Sequence, residues 1–439
     1  MRDRVLIFTG SVETLDYFSL QLADAFLSGG RDVFVWDLRR SEFSRAAFDA
    51  LPDPENTTIV SFNFTGFCNE DVTLLSEEES GRPGETVFEE KGLEILCICV
   101  DSPIYYVPHL LSGVRGLHPV CIDRNHAAFL ERFFPAYGKA LYLPSAGNLL
   151  PSVSRRISGE TVFPGLHAAE GGREKWFELA DFPSFEEWTR REIPVIFTGN
   201  YVPQEKLRKG IRHLAPEYVA FLEECIRDFE LDPDLPMEEG LLRRIDETFY
   251  EPGEAHDREE DLKALYSLSY VDLSVRTLYR GRLIRTLAEA GIPMFLTGKD
   301  WELLPCGRPE NLRSTGHEIT SAECLKWLQK SRISLNLMPW FKKGVHDRIF
   351  QSQLCGCAVL TDPTEELLAD YADGGNIALY GIADMQSAVK ACAVMLEDTD
   401  GTYRMAKAGY VTAAAHHTWA QRAKALGRMD FYVGSCSGK

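Results

Sequence analysis

Twice along the chain, short runs of β-branched and aromatic residues alternate with stretches whose apolar residues recur at helical spacing. A strand, a crossover helix and a further strand read this way demand a parallel sheet covered on both faces, so the fold class is α/β. The first series has candidate strands at 4–8, 32–36, 57–62, 94–100, 118–122 and 139–143. Between the first two, Leu15, Phe18, Leu22, Ala25 and Phe26 fall on one helical face, and Gly29-Gly30 stops the helix. The second series has candidate strands near 193–197, 292–296, 331–338, 357–361 and 376–380. A total of 439 residues allows two such cores.

The expected organisation is an N-terminal Rossmann-like domain over 1–190 and a C-terminal one over 191–439. An irregular stretch rich in proline and glycine, about 151–190, joins them. A charged, helix-patterned insertion occupies about 204–290, and an Ala-rich closing helix spans about 403–431, placed to pack back across the cleft.

Composition narrows the partners. With 45% hydrophobic and 26% charged residues the chain is globular, and its net charge of −19 repels nucleic acid and anionic lipid headgroups. Any anionic ligand must therefore meet a local cationic pocket. Met1 leads directly into the strand-like Arg4-Val5-Leu6-Ile7-Phe8, and no apolar run nears the roughly 20 residues of a membrane span, so no leader, no integral membrane segment and a cytoplasmic location are expected. The eleven cysteines lack metal or redox spacing; Cys97, Cys99, Cys355 and Cys357 read as packing residues.

In open α/β sheets ligands bind beyond the carboxyl ends of the strands. Three strands end in Thr-Gly followed by a polar or basic residue: Thr9-Gly10-Ser11, Thr198-Gly199-Asn200 and Thr297-Gly298-Lys299. Glycine admits close approach of a ligand, and the neighbouring hydroxyls and amides donate to oxygen; equally, each glycine serves a plain turn. Neither G-x-G-x-x-G nor the P-loop pattern is present.

The densest stretch is Ile333-Ser334-Leu335-Asn336-Leu337-Met338-Pro339-Trp340, then Gly344-Val345-His346-Asp347-Arg348-Ile349-Phe350-Gln351, then Cys355-Gly356-Cys357-Ala358-Val359-Leu360-Thr361-Asp362. It reads as strand, glycine loop, helix and strand. His346, Asp347 and Arg348 fall in the first helical turn, where the helix dipole is already positive. Two accounts of Arg348 follow: it meets a bound diphosphate, with His346 donating to a phosphate or sugar oxygen, or it pairs with Asp347 or another carboxylate.

Ser334, Leu335, Asn336, Pro339, Trp340, Gly344, His346, Arg348, Thr361 and Asp362 resemble the C-terminal domain of group-1 glycosyltransferases of the CgeB-like (spore maturation protein B-like) branch, over about 292–380. His417-Thr418-Trp419 with Arg422 resembles that branch's closing helix. The resemblance implies a GT-B architecture of two Rossmann-like domains facing a cleft, and transfer of a sugar from a nucleotide sugar, a UDP-sugar first, to a glycan or protein acceptor. It implies donor contacts from Gly10, Thr198, Gly199, Asn200, Thr297, Gly298, Lys299, His317, Asn336, Met338, Gly344, Val345, His346, Arg348, Ile349 and Gln351, and no metal. Cys99-Val100-Asp101-Ser102-Pro103 and Leu143-Pro144 resemble N-terminal elements of such proteins. Asp101, His109 or His126 then serves as acceptor-side base or positioning residue, or Asp101 caps a helix and the histidines are structural. Catalytic candidates are His346, Arg348 and Asp101.

The pattern departs from the family where many retaining members carry two glutamates eight positions apart: Lys343 and Gln351 stand there. His317 lies where the nucleobase would be met, before a helix whose start is marked by Thr320 and Glu323. A nucleotide-sugar epimerase of the same architecture, or a catalytically silent nucleotide- or sugar-binding subunit, fits the same cleft.

Overall fold

The computed structural model describes residues 1–67, 85–147 and 182–429, and two six-stranded sheets organise them. The first is built from β1 (Arg4–Thr9), β2 (Asp32–Asp37), β3 (Thr57–Phe62), β4 (Glu94–Cys99), β5 (Leu117–Cys121) and β6 (Leu141–Tyr142), in the order β2-β1-β3-β4-β5-β6. The second is built from β7 (Ile193–Thr198), β8 (Met294–Thr297), β9 (Leu312–Ser314), β10 (Ser331–Leu335), β11 (Ala358–Thr361) and β12 (Ala378–Leu379), in the order β12-β11-β10-β7-β8-β9. Every neighbouring pair is parallel. The two sheets are the Rossmann-like pair that the GT-B resemblance implies.

Strand order reverses between β1 and β3 in the first sheet and between β7 and β10 in the second. The crevices at those two reversals are where such sheets hold ligands, because the flanking helices leave in opposite directions.

Burial explains why these strands form. β1 is buried along its whole length, as a parallel strand covered on both faces must be. Its pleat sends Phe8 to an aromatic cluster with Trp36, Phe67 and Phe88 on one face. Val5 and Ile7 face the helix Glu13–Ser28 and the C-terminal helix Trp419–Gly427 on the other. Trp419 packs at 5.4 Å from Phe18 and 5.6 Å from Phe62, so the last helix crosses back onto the first sheet.

Two sequence expectations need correction, and one strand is additional. The strand expected over 331–338 ends at Leu335, beyond which Met338 N–H donates to the Asp362 carboxylate and the chain turns away. β9 was not foreseen: its three residues are half-buried or exposed and show no alternation. His346 is the N-cap of the helix Asp347–Leu354 rather than part of its first turn, since its Nδ1 accepts the Arg348 N–H at 3.1 Å. Most of the irregular stretch 151–190, and the end of the segment 403–431, lie outside the described residues.

Five helices occupy the long charged stretch: Gln204–Ile211, Pro216–Leu231, Met237–Phe249, Arg258–Ser267 and Ser269–Glu289. On the last, Asp272, Arg276 and Arg280 recur every fourth residue and share one face.

One buried carboxyl group is a stability liability. Asp24, on the helix Glu13–Ser28, is 1% exposed, its Oδ2 has no hydrogen-bond partner among the described residues, and burial pushes its pKa up to about 7. A raised carboxyl pKa favours the folded state only where the group is protonated, so its penalty grows from about pH 4 to pH 7 and is complete above. Asp24→Ala should therefore gain about 2 kcal/mol at pH 8 and nothing near pH 4. Urea denaturation at the two pH values checks this; an equal effect at both would mean that Asp24 is paired.

Candidate functional site

At the second reversal, β7 ends in Thr198-Gly199-Asn200 and β8 in Thr297-Gly298-Lys299. The two turns pack on each other. Gly199 N–H donates to Thr297 O at 3.2 Å, Gly298 N–H to Thr315 Oγ1 at 2.9 Å and Lys299 N–H to Asn200 Oδ1 at 3.0 Å. A Cβ on Gly298, whose φ is +109°, would lie 2.7 Å from Gly199 O. These glycines thus permit close turn packing, and their amides are spent inside the protein rather than offered to phosphate. Lys299 Nζ lies 2.6 Å from Glu318, which also accepts from Asn200 Nδ2 at 2.9 Å. His317 is exposed, and its Nδ1 lies 2.7 Å from Thr315 O. Lys299 and His317 stand on the outer loops, apart from the residues below.

Gly10 is similar. Its N–H and that of Ser11 both reach the Asp16 carboxylate, at 2.9–3.1 Å. A carboxylate of the protein thus fills the anion position at the end of β1.

Arg348 is placed differently. It is buried, its Nη1 donates to Asn336 Oδ1 at 2.9 Å, and its guanidinium lies over the Phe197 ring at 5.2 Å. Among the described residues it makes no salt bridge: the Asp347 carboxylate lies 2.9 Å from His346 Nδ1 and accepts from Gln351 Nε2. Beside it, Arg280 reaches the same Phe197 ring from the long helix, at 5.8 Å. Arg280 donates to Asn200 O, while its shielded Nε has no acceptor among the described residues. A Cβ on Gly199 would stand 3.3 Å from Arg348 Nη2 and 3.9 Å from Arg280 Cζ.

Two guanidinium groups thus meet at the reversal without a carboxylate between them. Burial, and then the charges of Arg348 and Arg276, pull the Arg280 pKa down to about 9; burial also lowers that of Arg348. The Gly199 backbone packs directly against both.

The other residues expected to contact the donor make contacts within the protein. Asn336 is fully buried, holding Arg348 with Oδ1 and donating to Thr361 Oγ1 at 2.9 Å. Met338, Val345 and Ile349 are buried beneath the helix. Gly344 lies on a seam between the sheets: it bridges Asp123, and its Cβ would fall 2.4 Å from Ile122 O. Thr198 and Thr297 are buried at their strand ends.

Asp101, just beyond β4, opens onto a cleft of about 470 Å³ lined also by Asn63, Arg276, Trp340, His346 and Asp347. Its Oδ2 accepts from Asn63 Nδ2 at 3.0 Å and its Oδ1 from Arg276 Nη1 at 3.3 Å. Arg276 lies 2.7 Å from Asp272 and stacks on Trp340 at 4.6 Å. His346, between Trp340 and Phe341, has its pKa lowered by burial and then by Arg348, so it is neutral near pH 7. The ring's polar contacts among the described residues are made through Nδ1. The cleft thus brings His346 and Asp101 together, with Arg348 on the turn behind His346. His126 is instead buried 3.4 Å from Glu238, and His109 packs at 5.5 Å from Phe64.

Sequence reasoning missed Arg276, Arg280 and Asn63. The fourfold spacing of Asp272, Arg276 and Arg280 was visible but indistinguishable from a solvated helix face.

Residues 276–428, less than half of the chain, match a family model described as glycosyl transferase-like, so the region from the long helix to the terminal helix is glycosyltransferase-like. No curated protein sequence matches the chain closely enough to count as a relative. Among solved structures, Anabaena HepE in complex with UDP and glucose is similar at 10% identity and a TM-score of 0.47, covering 97% of this chain and 100% of its own. An α-glucosyltransferase in complex with UDP and DNA is similar at 13% identity and a TM-score of 0.49, covering 97% and 98%. A glycosyltransferase from Rickettsia africae is similar at 8% identity and a TM-score of 0.47, covering 97% of each chain. Likenesses this low assign neither donor nor acceptor to this chain. Among the described residues no helix is long and apolar enough to cross a membrane.

Proposed function

We propose that the protein transfers a sugar from a nucleoside diphosphate sugar to a hydroxyl of a glycan or protein acceptor, with the donor on the second sheet and the acceptor on the first. The observation that carries this reading is the pair Arg280 and Arg348, two neighbouring cations with no carboxylate between them at the strand-order reversal, packed against Gly199 where no side chain intervenes. An uncompensated pair of this kind costs stability unless an anion joins it, and a diphosphate offers matching charge and paired oxygen acceptors for each guanidinium. Within the glycosyltransferase-like region, the spacing of Gly344, His346 and Arg348 fits the CgeB-like branch.

The acceptor oxygen attacks the anomeric carbon while the bond from that carbon to the diphosphate oxygen breaks, its electron pair leaving with the nucleoside diphosphate. Asp101 takes the acceptor proton. Arg280 and Arg348 stabilise the charge that grows on the leaving group, the task a metal ion performs elsewhere, and His346 Nε2 faces a donor oxygen.

A thermal-shift series with UDP, GDP, TDP and CMP, with and without magnesium, tests the reading. One nucleoside diphosphate should raise the melting temperature equally in both conditions, by mass action on the folded state. A shift seen only with magnesium would assign charge neutralisation to a metal, and no shift with any nucleotide would sink the donor site.

A further inference from the structure

The first sheet has its own strand-order reversal, between β1 and β3, and the turn leaving β3 there is strained without a glycine at the critical positions. Asn63 and Phe64 have φ of 49° and 60°, in the left-handed region. Asparagine visits this region at small cost; phenylalanine does so rarely, and it is held here by Tyr106 at 5.3 Å and His109 at 5.5 Å. Strained residues of this kind persist where their surroundings over-determine them, often next to chemistry.

The turn swings the Asn63 side chain across to the end of the neighbouring strand. Its Oδ1 accepts the Val100 N–H at 2.9 Å and its Nδ2 donates to Asp101 Oδ2 at 3.0 Å, while its own N–H is bound to Ile98 O at 3.0 Å. One amide therefore fixes both the backbone before Asp101 and one oxygen of its carboxylate. Arg276 holds the other oxygen from the second sheet's side of the cleft. The ionisable groups facing Asp101 are Arg276 from the long helix, Tyr105 and Tyr106 from the turn that follows, and Cys99 from β4; His346 and Asp347 line the same cleft.

We propose that Asn63 is a positioning residue for transfer: through its strained turn it aims the Asp101 carboxylate at the acceptor hydroxyl. This rests on the donor and acceptor assignment above. A carboxylate freed from one of its two donors rotates, and misplacement of a base by even 1 Å is worth about a hundredfold in rate.

Two variants separate aim from structure, with UDP-glucose hydrolysis and UDP binding as readouts. Asn63→Gly removes the side chain at a position where glycine relieves strain. Relief at the left-handed position offsets part of the two lost hydrogen bonds, so it should melt a few degrees at most below the wild type and bind UDP within twofold of wild type, yet turn over about 10- to 100-fold more slowly. Asn63→Asp keeps the shape and tolerates the same φ, but sets a second carboxylate against Asp101. Like charges that close resist joint ionisation, so the acidic limb of its pH–rate profile should move up by about one unit, which a purely structural role would not do. Wild-type turnover in Asn63→Gly, or a profile in Asn63→Asp that overlays the wild type, would overturn the proposal while leaving the donor site intact. If Asn63→Gly fails to fold, the Asn63→Asp profile decides. Where another nucleoside diphosphate gives the thermal shift, it and its glucose conjugate replace UDP and UDP-glucose in both readouts; a wild-type protein that binds no nucleoside diphosphate removes the donor reading and this proposal with it.

Discussion

Arg280→Met should raise the melting temperature of the ligand-free protein and at the same time weaken nucleoside diphosphate binding by about 30-fold. Both effects come from one cause. Arg280 carries its charge among shielding residues and close to Arg348, and its pKa of about 9 lies well below the ordinary 12.5. Between those values the unfolded chain keeps the proton and the folded one does not, so stability from this site rises with pH; below about pH 9 the penalty is present in full. Methionine keeps much of the apolar stem and removes the charge, a gain on the order of 1–3 kcal/mol at pH 7. In the complex the guanidinium makes charge-assisted bonds worth about 2 kcal/mol, which sets the loss in affinity. Arg348→Ala should weaken binding comparably, with less gain in stability because Asn336 Oδ1 loses its donor. Denaturant melts and calorimetric UDP titration measure the two quantities; a variant that is both less stable and unchanged in affinity would make Arg280 a structural residue.

The sheets were legible because strand-forming runs such as Val5-Leu6-Ile7-Phe8 and Val195-Ile196-Phe197 carry their own signal, and parallel strands buried on both faces leave little else for such runs to do. The Thr-Gly turns were legible as places but not as chemistry. Asp16 lies six residues beyond Gly10, and Thr315 lies 17 beyond Gly298, and only folding shows that these groups consume the amides which sequence reading offered to phosphate. Arg348 stood out because a basic residue at a helix start is unfavourable unless an anion meets it. Arg280 did not, because a basic residue within a charged helix has no local oddity; its oddity is Arg348 next to it, brought there by the fold. Asn63 was hidden for a related reason: nothing in Phe62-Asn63-Phe64 announces a left-handed turn, since the usual mark of one is glycine.

Arg422 makes the opposite case and should give the largest loss of stability. Like Arg280 it is a shielded cation without a salt-bridge partner among the described residues, here buried, and burial pulls its pKa down to about 10. Unlike Arg280, it is surrounded by acceptors. Nε reaches Pro144 O at 2.6 Å, Nη2 reaches Ser145 O at 2.7 Å and His417 Nδ1 at 3.0 Å, and Nη1 reaches His416 O at 2.9 Å. These bonds tie the terminal helix to the loop after β6, where Gly147 N–H also donates to His417 O at 2.8 Å, while the His417 ring stacks 4.1 Å from Phe350 on the helix Asp347–Leu354. Arg422→Ala strands buried carbonyls on both sides of this junction, at roughly 1–3 kcal/mol for each unsatisfied group. The relieved desolvation of the charge offsets part of that, leaving a net loss of about 3 kcal/mol by urea denaturation. Arg422→Lys should recover only a fraction, because an ammonium cannot span acceptors arranged around a planar fork. If Arg422→Ala matched the wild type within about 0.5 kcal/mol, the size expected of a neutral surface change, then counting acceptors would not separate a cation that holds this fold together from one that waits for an anion, and the assignment of Arg280 would lose its main support as well.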